Sequence, residues 1–263
     1  MALIWVKDVS VDQGHLALDG AMTSAASGGH CAARKSTMTK ILKPSLVAAA
    51  GAIMLFAGQA YAGSPGGKVQ IKVLGTAVLP DGKITKKTTD IVPLPATTQT
   101  AASDNYVPTI AVEYFFSPSF SVETICCLTE HHVTATSGLP GAELVSSAKL
   151  IPATITAKLH LPGGPIKPYI GAGLTYFWWA DSKPGAATVP LVVTRTTLSN
   201  EVGAVVQGGV DIAIGDNGLG LTLDAKKYFV NTTARWYAGS TLAIQTEHKL
   251  DPWVLSAGLS YRF

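Results

Sequence analysis

The sequence is short of charge and of long apolar runs, and each shortage excludes something. Only 14% of its 263 residues are charged, against roughly a quarter in ordinary soluble domains. The net charge of +3 is too small to point to nucleic acid, and no basic run interleaved with aromatics suggests it either. No nucleic-acid partner is expected. The longest apolar run, "SLVAAAGAIMLFAG" at 45–58, is shorter than the roughly 20 residues a helix needs to cross a bilayer. It is not a spanning helix.

That run reads instead as the core of an export signal. Met38, Lys40 and Lys43 precede it, and Ala60 and Ala62 follow as the small-x-small pair that a signal peptidase reads. Residues 38–62 are then a signal peptide cleaved after Ala62, residues 1–37 an upstream extension or a misplaced start, and 63–263 the exported chain. Of the three cysteines, Cys31 falls in the discarded part and only Cys126 and Cys127 remain. Export permits a disulfide. Adjacent strand residues point to opposite faces, however, so this pair reads as two small apolar fillers.

A helical period is also missing after residue 68. What recurs is a stretch of about ten alternating residues followed by a break. Strands are expected at 68–78, 106–116, 119–128, 149–159, 167–178, 201–214, 219–229 and 252–263. The short breaks "SPS" at 117–119, "HLPGGPI" at 160–166 and "GDNG" at 215–218 carry turn residues. The long ones, near 79–105, 129–148, 179–200 and 230–251, are rich in Thr, Ser, Ala, Pro and Gly. An even number of antiparallel strands with short turns at one end and long loops at the other is the signature of an outer-membrane β-barrel. The fold expected is therefore all-β, an eight-stranded antiparallel transmembrane barrel in the outer membrane of a Gram-negative bacterium, with outer-membrane lipid as its surroundings.

The alternation separates two faces. In the last strand Trp253, Leu255, Ala257, Leu259, Tyr261 and Phe263 share one face, suited to lipid, and Val254, Ser256, Gly258, Ser260 and Arg262 share the other. The same phase puts Lys72, Glu113, Glu123, Lys158, Asp211, Asp224, Lys226 and Arg262 inside. Eight strands leave a lumen that side chains can fill. These four cations and four anions are then expected to pair as a luminal charge plug, because buried charges are tolerable only when paired.

Other clusters carry less. Glu130, His131 and His132 are the one dense group of metal-type ligands, but adjacent histidines on an extended chain point apart, so a solvated loop is expected and no metal. His160 and His248 receive no role, and no cofactor is implied. Ser256 and Ser260 face inward, yet no Gly-x-Ser-x-Gly turn occurs and no histidine lies on their strand; an enzyme is not expected. Trp178, Trp179, Trp236, Trp253, Tyr114, Tyr176 and Tyr237 sit near strand ends as in an aromatic girdle. Of the consecutive pair, Trp179 is the one expected to face inward.

Several stretches resemble one family. "LDPWVLSAGLSYRF" at 250–263, "KPYIGAGLTYF" at 167–177 and "IPAT" at 151–154 are similar to segments of the OmpW family, which includes the AlkL-type alkane-uptake proteins. The resemblance covers essentially all of 63–263, although "LTEHH" at 128–132 stands where the family often has an apolar Pro-Phe-x-His segment. It implies an apolar pocket in the outer half of the barrel, a blocked lower half, and sideways exit of small hydrophobic ligands into the membrane. Leu74, Ile125, Phe177, Trp179 and Val254 are the inward-facing candidates for that pocket. Passive uptake of small hydrophobic molecules is the function expected; the alternative is a plugged structural or receptor barrel without transport. The ending fits the polar-x-Gly-x-x-aromatic-x-aromatic pattern associated with the barrel-assembly machinery, through Ser256, Gly258, Tyr261 and Phe263.

Overall fold

The computed structural model describes residues 66–161 and 164–263. The expected signal peptide and the upstream segment lie outside these residues. Fourteen strands are found among them. Eight build the wall: β1 (Val69–Leu79), β4 (Asn105–Ser117), β5 (Phe120–Cys126), β7 (Glu143–His160), β8 (Ile166–Pro184), β10 (Glu201–Ala213), β11 (Leu219–Phe229) and β14 (Trp253–Arg262). The other six are β2 (Lys83–Asp90), β3 (Gln99–Ala102), β6 (Thr129–Ser137), β9 (Arg195–Leu198), β12 (Asn231–Ala238) and β13 (Thr241–Lys249).

The eight wall strands pair antiparallel in chain order and close where β1 meets β14, from Gln70↔Arg262 to Leu79↔Trp253. Closure continues to the last residue. Phe263 N donates to Val69 O at 2.8 Å and Val69 N to Phe263 O at 3.0 Å. In lipid, where no water can satisfy an open edge, such a seam is obligatory. The "GDNG" turn between β10 and β11 needs its glycines, since Gly215 and Gly218 have φ of 68° and 79°, the left-handed region that other residues avoid.

Period-two alternation decides which side chains meet lipid. Ile155, Ile170, Leu174, Leu223, Leu255 and Leu259 are exposed on the outer face. Tyr114, Phe116, Phe120 and Phe263 mark the end with short turns, and Tyr106, Trp178 and Trp253 the end with long connections, as interfacial girdles do. The inward positions of the same strands are buried or partly buried.

The four long connections are not strandless, as the composition led us to expect. β2, β13, β12 and β9 form a second, four-stranded sheet in that order, while β3 pairs with β6 and β6 with the outer half of β7. Strand β7 consequently begins at Glu143, not 149; the expected strand 119–128 ends at Cys126, and after Cys127 and Leu128 strand β6 opens in the connection expected at 129–148. Beyond the bilayer no face of a strand is in lipid, so "KITKKTTD" and "ELVSSA" need no strict apolar alternation and give no sharp signal.

Candidate functional site

The lumen has a charged floor beneath an apolar slot. In the floor every charge arrives by the inward phase of its strand, Asp224 and Lys226 sharing β11 and the others each on a strand of their own. Lys72 on β1 lies 2.6 Å from Glu113 Oε2, 2.8 Å from Glu123 Oε2 and 3.7 Å from Asp211. Lys158 on β7 reaches Glu113 at 2.8 Å and Glu123 at 3.1 Å. Lys226 on β11 reaches Glu123 at 3.1 Å and Asp224 at 2.6 Å. Lys72, Glu113, Glu123, Lys158 and Lys226 are each at most 2% exposed, where unpaired charges would be prohibitively costly.

The charges are also hydrogen-bonded by neutral groups that the alternation did not single out. Gln207 Nε2 donates to Glu123 at 2.9 Å and to Asp224 at 2.6 Å, and Tyr169 OH donates to Asp224 at 2.7 Å. The Tyr169 ring lies 3.6 Å beneath the Lys158 ammonium, a cation–π contact. Gly209 makes room for that ring, because a Cβ there would sit 2.4 Å from the tyrosine oxygen. Asp211, at the floor's edge, accepts from Thr222. Arg262 stacks 3.5 Å from the Phe115 ring and donates to Gly67 O at 2.6 Å; no ion pair joins it to the others among the described residues.

His160, given no role from sequence, is in the floor. Its Nε2 meets Ser121 Oγ at 2.8 Å and Glu113 Oε1 at 2.9 Å, and Ser121 also donates to Glu113. A serine, a histidine and a carboxylate in contact invite comparison with a hydrolase triad. The geometry is wrong for one: serine and carboxylate share a single ring nitrogen, whereas a relay needs the carboxylate on the other nitrogen to orient the ring. All three residues are buried, so the group acts as cross-strand bonding.

Above the floor lies the slot, a narrow space with about 50 Å³ open to the centre of a water-sized sphere. Ile125, Phe177, Trp179 and Val254 line it with Val78, Leu150 and Tyr228. Phe177 and Tyr228 pack with ring centroids 5.9 Å apart. Leu74, also a pocket candidate, is deeper, packed against Ala111 and Ile125 and outside the lining. Trp236, read as a girdle residue, is inside: it is buried against Val145 and Ile244, with its Nε1 donating to Leu144 O at 3.1 Å.

The "EHH" segment is strand β6 and not a solvated loop. Glu130 and His132 do face outward, and Ser147 donates to Glu130 at 2.6 Å. His131 lines the slot, bonded to Thr129 at 2.9 Å and to Ser103 O at 2.6 Å. His248 on β13 lines it too, bonded to Thr246 at 2.6 Å. Burial lowers both imidazole pKa values, and the carbonyls of Ser103 and Gly82 only partly oppose it.

The slot is flanked by a break in the wall. The β4–β5 ladder ends at Ile110↔Cys126, while β4 stays paired with β1 as far as Val78↔Asn105. On the other side, β5–β7 pairing ends at Ile125↔Thr154 and β6–β7 pairing resumes at Thr129↔Leu150. Between them Cys127 and Leu128 are unpaired, and β7 presents Pro152, which has no N–H to donate. β4 carries Pro108 on its side of the same break. Asn105 closes the top, its Nδ2 donating to Glu130 O at 2.8 Å and to Thr129 Oγ1 at 3.2 Å. Cys127 faces the slot and Cys126 the lipid; both are free thiols.

A model described as the OmpW family matches residues 65–263, so it covers the whole barrel. The chain belongs to the OmpW family. A relative by sequence, the uncharacterized outer-membrane protein y4mB of Sinorhizobium fredii, is 32% identical over 199 residues, covering 74% of this chain and 79% of that one. The dibenzothiophene metabolism operon protein PahQ of Pseudomonas aeruginosa is 26% identical over 164 residues, 62% of this chain and 74% of its own length. Among solved structures, the outer membrane protein OprG of Pseudomonas aeruginosa superposes with a TM-score of 0.68 at 20% identity, covering 78% of this chain and 99% of that one. This OmpW-family chain is thus an outer-membrane barrel embedded in lipid.

At the seam, Ser256 faces inward and bonds Thr76 at 2.9 Å. Gly258 lies against β1, where a Cβ would meet Val73 O at 2.1 Å. The Tyr261 and Phe263 rings are 6.2 Å apart.

Proposed function

We propose that this protein is a channel for passive uptake of small hydrophobic molecules, which enter the slot from outside and leave sideways into the membrane. The observation that carries this reading is the wall break at Cys127 and Leu128, beside an apolar slot and above a cross-bonded floor. A molecule cannot easily continue through the floor, because it would have to part buried ion pairs at 2.6–3.1 Å. Exit through the break needs no charge to move. The driving force is ordinary: apolar surface leaves water at about 25 cal/mol per Å² on entering the slot, and lipid then replaces the slot walls. The operon named for dibenzothiophene metabolism in the PahQ relative supports an apolar cargo. On this reading Ile125, Phe177, Trp179 and Val254 form the pocket and the charges form its floor.

The cross-bonded floor also suits a second reading, a plugged structural or receptor barrel that moves nothing. Vesicles with a lipopolysaccharide outer leaflet separate the two. With the protein inserted, naphthalene uptake followed by its fluorescence is expected to exceed that of protein-free vesicles; equal rates would exclude transport. A Thr109→Cys variant tests the exit. Extending the Ile110↔Cys126 register puts residue 109 opposite Cys127, a spacing that a disulfide can bridge. Oxidation is expected to slow uptake and reduction to restore it. Uptake indifferent to the bridge would exclude exit by this route.

A further inference from the structure

The slot is apolar but contains polar side chains, and almost all of them are already bonded within the wall. Thr76 bonds Ser256, Thr129 bonds His131, Thr232 donates to Ser199 O at 2.9 Å, and His248 bonds Thr246. Tyr228 bonds Thr154, and the Trp236 indole donates to Leu144 O. Two groups are different. Thr109 Oγ1 and Trp179 Nε1 are buried atoms lining the slot that meet no oxygen or nitrogen partner among the described residues. Thr109 is 2% exposed, and its neighbour is the Cys127 thiol, a weak partner. It stands at the wall break.

Buried polar groups in native proteins are rarely left unbonded, and one left so is costly. A hydrocarbon filling the slot would strip any water from both groups and return nothing. An indole N–H can only donate, and a threonine hydroxyl can donate as well as accept. The complement to both is therefore an acceptor oxygen.

We infer that the preferred cargo is a small apolar molecule bearing one acceptor oxygen, such as a ketone or ester, which bonds the Trp179 indole on the way in and the Thr109 hydroxyl at the break. This rests on the uptake reading above and narrows it to a chemical class. Discrimination comes from the two groups: they favour a cargo that bonds them over an equally apolar one that leaves them bare.

The experiment compares 1-indanone with indane, matched in shape and differing in the carbonyl, in the same lipopolysaccharide vesicles. The quantity read is the acceleration of each over protein-free vesicles. One hydrogen bond's worth of selectivity is about tenfold, so the indanone-to-indane ratio of accelerations is expected near ten. It should fall towards one in Thr109→Val, which keeps the side chain's shape and removes the hydroxyl, and in Trp179→Phe, which keeps an aromatic ring but removes the N–H together with some volume. The heat-dependent gel shift of a folded barrel verifies each variant, and either one alone suffices if the other does not fold. Equal acceleration of the two compounds by the wild type overturns this inference and leaves the uptake reading standing. A preference that survives in folded variants overturns the assignment to Thr109 and Trp179. Acceleration of neither compound overturns the uptake reading, and this inference with it.

Discussion

Glu123 is the hub of the luminal floor, and replacing it by glutamine tests whether the charges hold the barrel together. Its carboxylate takes Lys72 at 2.8 Å, Lys158 and Lys226 at 3.1 Å each, and Gln207 at 2.9 Å. Glu123→Gln keeps the volume and one acceptor oxygen but removes the charge. None of the three lysines is thereby orphaned, since Lys72 and Lys158 retain Glu113 and Lys226 retains Asp224. The two that share Glu113, however, are left with one carboxylate between them, apart from Asp211 at 3.7 Å from Lys72. Removing one partner of a buried pair costs roughly 3–5 kcal/mol, and the surviving contacts argue for the lower end, about 3 kcal/mol. The assay is equilibrium urea unfolding in lipid vesicles, read from the heat-dependent gel shift and tryptophan fluorescence. A second variant gives the reasoning its sharper form: adding Lys158→Met to Glu123→Gln removes one surplus cation and is expected to recover part of the loss, a coupling visible in a double-mutant cycle. If Glu123→Gln unfolds within about 1 kcal/mol of wild type, or if the double variant is simply additive, the network is not the structural load described above.

Three further outcomes follow from the same geometry. Phe177→Arg, placing a cation against Tyr228 in the slot, is expected to slow naphthalene uptake severalfold while the folded gel shift persists; unchanged uptake would remove Phe177 from the path. His131 and His248 have pKa values lowered by burial, so the opened outer segment binds more protons than the closed one below about pH 6.5. Stability of that segment is complete at neutral pH and falls as pH drops through this range, which lower amide protection factors in β6 and β13 at pH 5 than at pH 7, each taken against the intrinsic exchange rate at that pH, with the barrel amides still protected, would register. Deleting Phe263 removes both terminal seam bonds to Val69 and the last aromatic of the proposed signal for the barrel-assembly machinery. A reduced folded fraction in the outer membrane is expected, with normal insertion counting against the signal.

Much of the barrel was legible because its governing rule is local. A strand in lipid must put apolar groups outward at every second residue, so "WVLSAGLSYR" on β14 announces both its structure and its faces. The same period carried Lys72, Glu113, Glu123 and Lys158 to the inside from four separate strands. The outer sheet escaped notice for the converse reason. Above the bilayer the constraint lapses, and β2, β12 and β13 are held by pairing between distant segments, as in His248↔Ile84.

The sequence by itself determined that this is an exported-type, lipid-facing chain of eight alternating strands with balanced charge within. Which carboxylate holds which lysine, why Gln207, Tyr169 and His160 belong to the floor, and where the wall opens were decided only in three dimensions. The physical reason is register: closing eight strands sets how far each is staggered against the next, and that stagger brings Lys226 to Glu123, 103 positions away. It also sets Pro152 beside the gap at Cys127 and leaves the Thr109 hydroxyl and the Trp179 indole facing the slot without an oxygen or nitrogen partner among the described residues.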